Sequence, residues 1–158
     1  MEHIRSARAE DAVRIAEIEI ADYRLNFYPL FLTDRYFFSE LTVPTLIEEY
    51  RTIPGRIEQT IVYDDGIVKG FLRMEGDRIE KLFVEPVFQN RGIGGKLLDH
   101  AAQRGARDLY VLEQNENAIR FYRRHGFALT GERRRVDDTN RFLIRMVRPA
   151  DRDGYEEV

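Results

Sequence analysis

Residues 84–104 read Val84-Glu85-Pro86-Val87-Phe88-Gln89-Asn90-Arg91-Gly92-Ile93-Gly94-Gly95-Lys96-Leu97-Leu98-Asp99-His100-Ala101-Ala102-Gln103-Arg104. The preceding run Lys81-Leu82-Phe83-Val84 is strand-like, and Pro86 marks a turn. After the glycines, Ile93, Leu97, Leu98 and Ala101 recur at helical spacing. A glycine-rich loop therefore opens a helix directly after a strand. The first turn of a helix carries backbone N–H groups with no internal partner, and the helix dipole adds positive potential there. Glycines let a ligand approach that backbone closely, so the arrangement suits a phosphate or pyrophosphate. A plain strand–helix turn without a ligand is the alternative.

Two familiar nucleotide loops do not fit. In a P-loop the Gly95-Lys96 pair would be followed by Ser or Thr and preceded by glycine at position 90, but Leu97 and Asn90 stand there. A dinucleotide-binding fingerprint needs a third glycine where Leu97 stands.

Working outward, Arg56–Tyr63 reads as a strand running to the hairpin signal Asp64-Asp65-Gly66. Ile67–Glu75 returns, Gly76-Asp77 turns again, and Arg78–Val84 completes an antiparallel meander. Beyond the loop helix, which stops near Arg104-Gly105, Asp108–Leu112 is a further strand. Asn115–Arg124 reads as a short helix ended by Gly126; Phe127–Thr130 leads into a strand, and Arg141–Val147 alternates as the last one. At the other end, His3–Ala7 reads as a strand, and Glu10 and Asp11 open a helix through Ala12, Ile15, Ala16 and Ile18. Residues 21–55 hold eight of the 18 aromatic side chains, punctuated by Pro29, Pro44 and Pro54. They read as broken helices, the last over Val43–Arg51, forming either core or the wall of a substrate pocket.

A second motif spans Asn115-Glu116-Asn117-Ala118-Ile119-Arg120-Phe121-Tyr122-Arg123-Arg124-His125-Gly126-Phe127. It has the form Asn-x-x-Ala, three residues, Tyr, three residues, Gly-Phe. Together with Gln89-x-x-Gly92-x-Gly94 and the opening Ile4-Arg5-x-Ala7 followed by Asp11, it resembles the GNAT superfamily of N-acetyltransferases over nearly all of residues 3–147. The chain looks most like small bacterial single-domain members.

That resemblance implies a mixed α/β (α+β) fold: a twisted, mostly antiparallel sheet flanked by helices, with two parallel central strands that splay apart. Acetyl-CoA would lie in the cleft as co-substrate, and no metal is expected. The backbone near Leu82 and Val84 would pair with the pantetheine arm. N–H groups around Gln89, Arg91, Gly92, Gly94, Gly95 and Lys96 would hold the pyrophosphate, and Asn115 would sit beside the arm. An amine would attack the thioester, and Tyr122 takes the position of the acid that protonates the departing thiolate. A helix tyrosine that only packs against the sheet is the other reading of Tyr122. Some relatives use a glutamate on the first splayed strand as base. Glu80 shares strand parity with Leu82 and Val84 and fits that role. It fits equally a solvated residue or a partner of Arg73 or Arg78, with water taking the proton.

Composition narrows the setting. A length of 158 residues with 43% hydrophobic and 34% charged content suits one soluble domain, read here as residues 1–150 with an acidic tail over 151–158. The absence of cysteine excludes disulfides, thiolate metal sites and a cysteine nucleophile. Neither an apolar spanning run nor a signal-like start is present, so a cytoplasmic protein away from membranes is expected. Residues 1–65 hold 13 acids against 7 bases, whereas 119–148 hold nine arginines against three acids. The expected partner is an amine-bearing small molecule or protein. Nucleic acid is not expected, and the chain would act as a monomer or homodimer. Two further readings share the fold: a non-catalytic acyl-CoA sensor, and a toxin-like transferase acting on aminoacyl-tRNA, hinted at by Arg133-Arg134-Arg135.

Overall fold

A computed structural model describes residues 3–149; the acidic stretch 151–158 lies outside the described residues. Seven strands form one sheet: β1 (Ile4–Ser6), β2 (Thr60–Asp64), β3 (Val68–Glu75), β4 (Arg78–Val84), β5 (Asp108–Leu112), β6 (Ala128–Arg135) and β7 (Phe142–Val147). Their order is β1-β2-β3-β4-β5-β7-β6, and every neighbouring pair is antiparallel except β4 with β5. Five α-helices accompany them: α1 (Ala12–Asn26), α2 (Tyr28–Phe31), α3 (Val43–Thr52), α4 (Ile93–Gln103) and α5 (Glu116–Arg124). The mixed fold expected from the sequence is the one observed.

Successive strand residues point to opposite faces, so the sheet carries two cores. Ile61 and Leu72 join Leu97 and Leu98 of α4 on one face, while Val62 and Phe71 join Ile15 and Ile18 of α1 on the other. Fully burying a side chain such as Leu97 contributes roughly 1.5–3 kcal/mol. Helix α4 lies close over β3 because Gly70 has no side chain: a Cβ there would stand 3.1 Å from the Phe83 carbonyl oxygen and 3.3 Å from Leu97 Cδ1.

The segment before β2 is shorter as a strand than the sequence predicts. Residues 56–59 form turns, and pairing begins at Thr60. Thr60 Oγ1 donates to the Arg56 carbonyl at 2.7 Å, a local bond that holds the turn against extension. Residues 21–55 break as expected: α1 ends at Asn26, α2 is a single turn, and Tyr36–Glu40 forms a π-helical turn. Thr42 caps α3, accepting from Thr45 N at 3.4 Å, with Pro44 in the first turn.

Candidate active site

The site is a consequence of how β4 and β5 meet. Their parallel pairing covers only Arg78 with Asp108 and Ile79 with Leu109. The closed end is pinned by charge: Asp108 accepts from Arg78 Nη2 and from Arg145 Nε, each at 2.8 Å. The bonds from Arg78, then those from Arg145, hold the Asp108 carboxyl below the usual carboxylate range although burial opposes them. Beyond that point the strands part. Val84 turns its carbonyl away from β3, where Gln89 Nε2 donates to it at 2.9 Å. By the two-residue period of a strand, Leu82 presents its backbone groups to the same gap. A polar ligand lying in the gap can satisfy them.

Two cavities flank the gap. The first, about 900 Å³, lies between β4, the loop 89–92, the first turn of α4 and helix α5. Gly92 caps α4 with φ of 83°, a left-handed conformation that glycine adopts without strain. Lys96 N donates to the Gly92 carbonyl at 3.1 Å, the first bond of the helix. The N–H groups of Gly92, Ile93, Gly94 and Gly95 are thus left without intrahelical partners, and no side chain caps them. They open onto the cavity, and a helix start of this kind suits an anion.

Gln89, Gly92, Gly94, Gly95 and Lys96 all line this cavity, but two expected backbone donors are engaged. Lys96 N–H closes the helix, and Gln89 N–H reaches the Pro86 carbonyl at 3.3 Å. Lys96 therefore offers its ammonium rather than its backbone. Arg91 is not part of the cavity wall; its guanidinium lies 5.8 Å from the centre of the Phe88 ring. Asn115 caps α5, with Oδ1 accepting from Ala118 N at 3.2 Å, and lines both cavities with its amide N–H₂ left as an available donor.

The second cavity, about 880 Å³, is walled by Tyr23, Phe27, Phe31, Tyr36 and Phe37 on one side and by the turn 136–139 on the other. Arg141 Nη2 donates to the Leu30 carbonyl at 2.8 Å and ties the β6–β7 hairpin to α2. Glu80 and Lys81 line the β4 side. The parity reading of Glu80 is corrected by a β-bulge. Arg73 pairs with Lys81 and Met74 with Ile79, leaving Glu80 as the extra residue. Glu80 accordingly shares the face of Lys81 and Phe83, not that of Leu82 and Val84. It accepts from Arg73 Nη2 at 2.9 Å and Nε at 3.3 Å. Arg73 is 1% exposed and also donates to the Tyr50 hydroxyl at 2.7 Å. Burial by itself would raise Glu80, but the charge and hydrogen bonds of Arg73 outweigh it and hold the carboxyl below its ordinary value.

Tyr122 belongs to both cavities, as do Phe27, Leu82, Phe83, Asn115 and Ala118. Its ring packs edge-on against Phe121 and Phe127, with centroids 5.3 and 5.8 Å away. Burial raises its phenol above the usual value, so it is protonated at neutral pH. Among the described residues the hydroxyl has no hydrogen-bond partner.

Several lining residues were not picked out from sequence. Arg120, Arg124 and His125 line the first cavity from α5; the i, i+4 spacing of the two arginines was the available signal. Lys81 is held by the Tyr23 hydroxyl and by Glu19 at 3.5 Å. Burial would lower its ammonium, yet Tyr23 and Glu19 outweigh that and raise it. The arginine run lies on the edge strand: Arg133 pairs with Glu113 at 3.2 Å and lies 3.9 Å from the Phe142 ring centre, and Arg134 lies 4.6 Å from that of Tyr110.

Residues 56–129 match the acetyltransferase (GNAT) domain family. This span runs from the turn before β2 into β6 and carries both motifs on either side of the splayed pair. That segment resembles a GNAT acetyltransferase domain. The aromatic wall of the second cavity lies outside the matched span. The chain is 39% identical over 70 residues to the peptidyl-lysine N-acetyltransferase YjaB of Escherichia coli K12, an alignment covering 44% of this chain and 47% of YjaB. It thus spans about half the length of that relative. The solution structure of apo YjaB from Escherichia coli superposes with a TM-score of 0.69 at 26% identity, covering 94% of this chain and 97% of that one. The PaiA N-acetyltransferase of Thermoplasma acidophilum, solved in complex with coenzyme A, shares the fold with a TM-score of 0.61 at 18% identity, covering 90% and 96%. Among the described residues, no helix is long and apolar enough to cross a membrane.

Proposed function

We propose that this protein is an acetyl-CoA-dependent N-acetyltransferase whose acceptor is a primary amine, with a protein lysine as the favoured class. The observation that carries the reading is the unpartnered Tyr122 hydroxyl on the wall common to two cavities, one edged by the uncapped start of α4, which suits a phosphate-bearing arm, and the other lined by aromatic rings. The lysine class follows from the naming of YjaB as a peptidyl-lysine N-acetyltransferase. The PaiA complex supports coenzyme A as the occupant of a cleft in this fold.

Acetyl-CoA supplies an acetyl thioester. The four free N–H groups of α4 and the Lys96 ammonium would hold its phosphates, Leu82 and Val84 would line its arm, and Asn115 would donate to it. Tyr122 would then donate its phenolic proton to the sulfur as the C–S bond breaks, and the raised phenol returns to the protonated form. The acceptor must be neutral to attack, although an alkylamine has a pKa near ~10.4. Glu80 is a weak base because Arg73 stabilises its ionised form. In this reading the amine proton leaves through water, and Glu80 supplies charge rather than basicity.

The test is release of CoA thiol from acetyl-CoA in the presence of lysine-bearing peptides and small amines. Tyr122→Phe is expected to reduce kcat by about 10²–10⁴-fold, with CoA affinity unchanged. Tight CoA binding without turnover on any amine would replace the transferase reading with the sensor reading. Full kcat in the variant would remove Tyr122 from the chemistry.

A further inference from the structure

Asp22 faces the first cavity from α1 and takes no part in the reaction described above. It is 2% exposed. Its Oδ1 accepts from Gln89 Nε2 at 2.9 Å and from Asn26 Nδ2 at 3.5 Å, and its Oδ2 is buried with no hydrogen-bond partner. Gln89 Nε2 also donates to the Val84 carbonyl, so Asp22, Gln89 and Val84 form one chain from α1 to the splayed edge of β4.

The charged groups around Asp22 provide no counterion. Glu85, in the turn after β4, belongs to Arg14 at 3.2 Å. Glu19, one turn back on α1, lies 3.5 Å from Lys81 of β4. From α4, Lys96 lies over the Tyr63 ring, and Asp99 is 3.6 Å from His125. Arg120 and Arg124 reach the same cavity from α5. Among the described residues none of these cations pairs with Asp22. An ionised carboxylate here would be a buried, uncompensated charge, and protonation relieves it. Burial, aided by the charge of Glu85 and opposed by the Gln89 bond, pushes Asp22 up to about 8. Both accepted bonds fall on Oδ1, so the proton belongs on Oδ2. There it is a donor without an acceptor, which a bound ligand can complete.

We propose that Asp22 is a hydrogen-bonding residue of the CoA site: a neutral acid whose Oδ1 holds Gln89 and whose Oδ2 hydroxyl is completed by an amide carbonyl or phosphate oxygen of the bound arm. The assignment rests on reading this cavity as the CoA site. Ionising Asp22 removes the donor and puts a negative charge beside a polyanion. CoA therefore binds the protonated form, and above the pKa of Asp22 binding draws a proton from solvent.

The experiment is calorimetric titration of CoA into the full chain between about pH 6 and about pH 9.5. Asp22→Asn, which keeps the shape and an N–H donor but cannot ionise, is measured alongside. Wild-type affinity should fall above about pH 8, approaching about tenfold per unit, and the variant should lack that fall. The difference between the curves isolates Asp22, because the phosphates and thiol of CoA are common to both titrations. Parallel curves overturn the assignment. If the variant does not fold, the wild type alone decides. Binding heats in two buffers of different ionisation enthalpy near pH ~8.5 report proton uptake, and zero uptake overturns the assignment. pH-independent CoA binding refutes this assignment alone, whereas no CoA binding at any pH refutes the cofactor site and this assignment together.

Discussion

Gly94→Asp should make the protein slightly more stable while abolishing most of its affinity for CoA. A Cβ at residue 94 would stand 3.4 Å from Phe121 Cζ and 3.7 Å from Val84 Cγ2, ordinary contact distances, so the fold has room for it. Residue 94 lies in the first turn of α4, where a carboxylate interacts favourably with the helix dipole by about 0.3–1 kcal/mol. Replacing glycine within a helix adds a few tenths more, roughly. The net gain of about 1 kcal/mol corresponds to a rise of about 2–4 °C in Tm for a domain of this size. The same carboxylate would occupy the mouth of the proposed phosphate site. A unit charge about 5 Å from a phosphate charge, at an effective dielectric constant of about 20, costs about 3 kcal/mol. That is about two orders of magnitude in Kd for CoA. Titration calorimetry with CoA and thermal melting measure the two effects. Gly94→Ala controls for bulk and should stay within about fivefold of wild type in Kd, since its Cβ meets nothing closer than ordinary contact. Raising the salt concentration should narrow the gap between Asp and Ala. A folded Gly94→Asp protein that binds CoA as tightly as Gly94→Ala would show that phosphates do not sit at this helix terminus.

Glu80→Gln should cost about 1–2 kcal/mol of stability by weakening the buried Arg73 pair, and should leave the shape of the pH–rate profile unchanged; loss of the ascending limb would make Glu80 the base after all. Asp108→Asn should destabilise the protein by about 1–3 kcal/mol at neutral pH, measured by denaturant titration. The folded-state pKa of Asp108 lies below its unfolded value, so its stabilisation is present above pH ~4 and is lost as pH falls through the folded value. The difference from Asp108→Asn should therefore shrink under acid. A gap that persists undiminished to about pH 2 would assign the effect to shape instead of charge.

Much of the framework was legible because its signals are local. The bounds of β4 and β5 follow from runs of apolar and β-branched residues, and α5 follows from Ala118, Ile119 and Tyr122 marking one face. Gly92 reads directly as a helix start because its left-handed φ is a one-residue property. The family resemblance carried by the two motifs pointed to Leu82, Val84, Gln89, Gly92, Gly94, Gly95, Lys96, Asn115 and Tyr122, and these residues line one cavity. The local signals failed for Arg56–Gln59, where the Thr60 side chain bonds the Arg56 carbonyl and the chain turns instead of pairing. They also gave no warning that Arg91 would lie over Phe88 outside the cavity wall.

What the sequence determined by itself was the order of elements and the glycine loop that opens helix α4, because turn chemistry and side-chain periodicity act over a few residues. Only the tertiary structure decided which groups are ionised and where they point. A one-residue slip between β3 and β4 moves Glu80 to the opposite face, and that slip depends on pairing between strands. The same face places Glu80 on a buried arginine, which lowers its basicity. Asp22 looks like any acid in an amphipathic helix until β4, the turn after it and Gln89 close around it and remove water without supplying a counterion. Charge state depends on desolvation and on neighbours distant in sequence, and both exist only once the elements have packed.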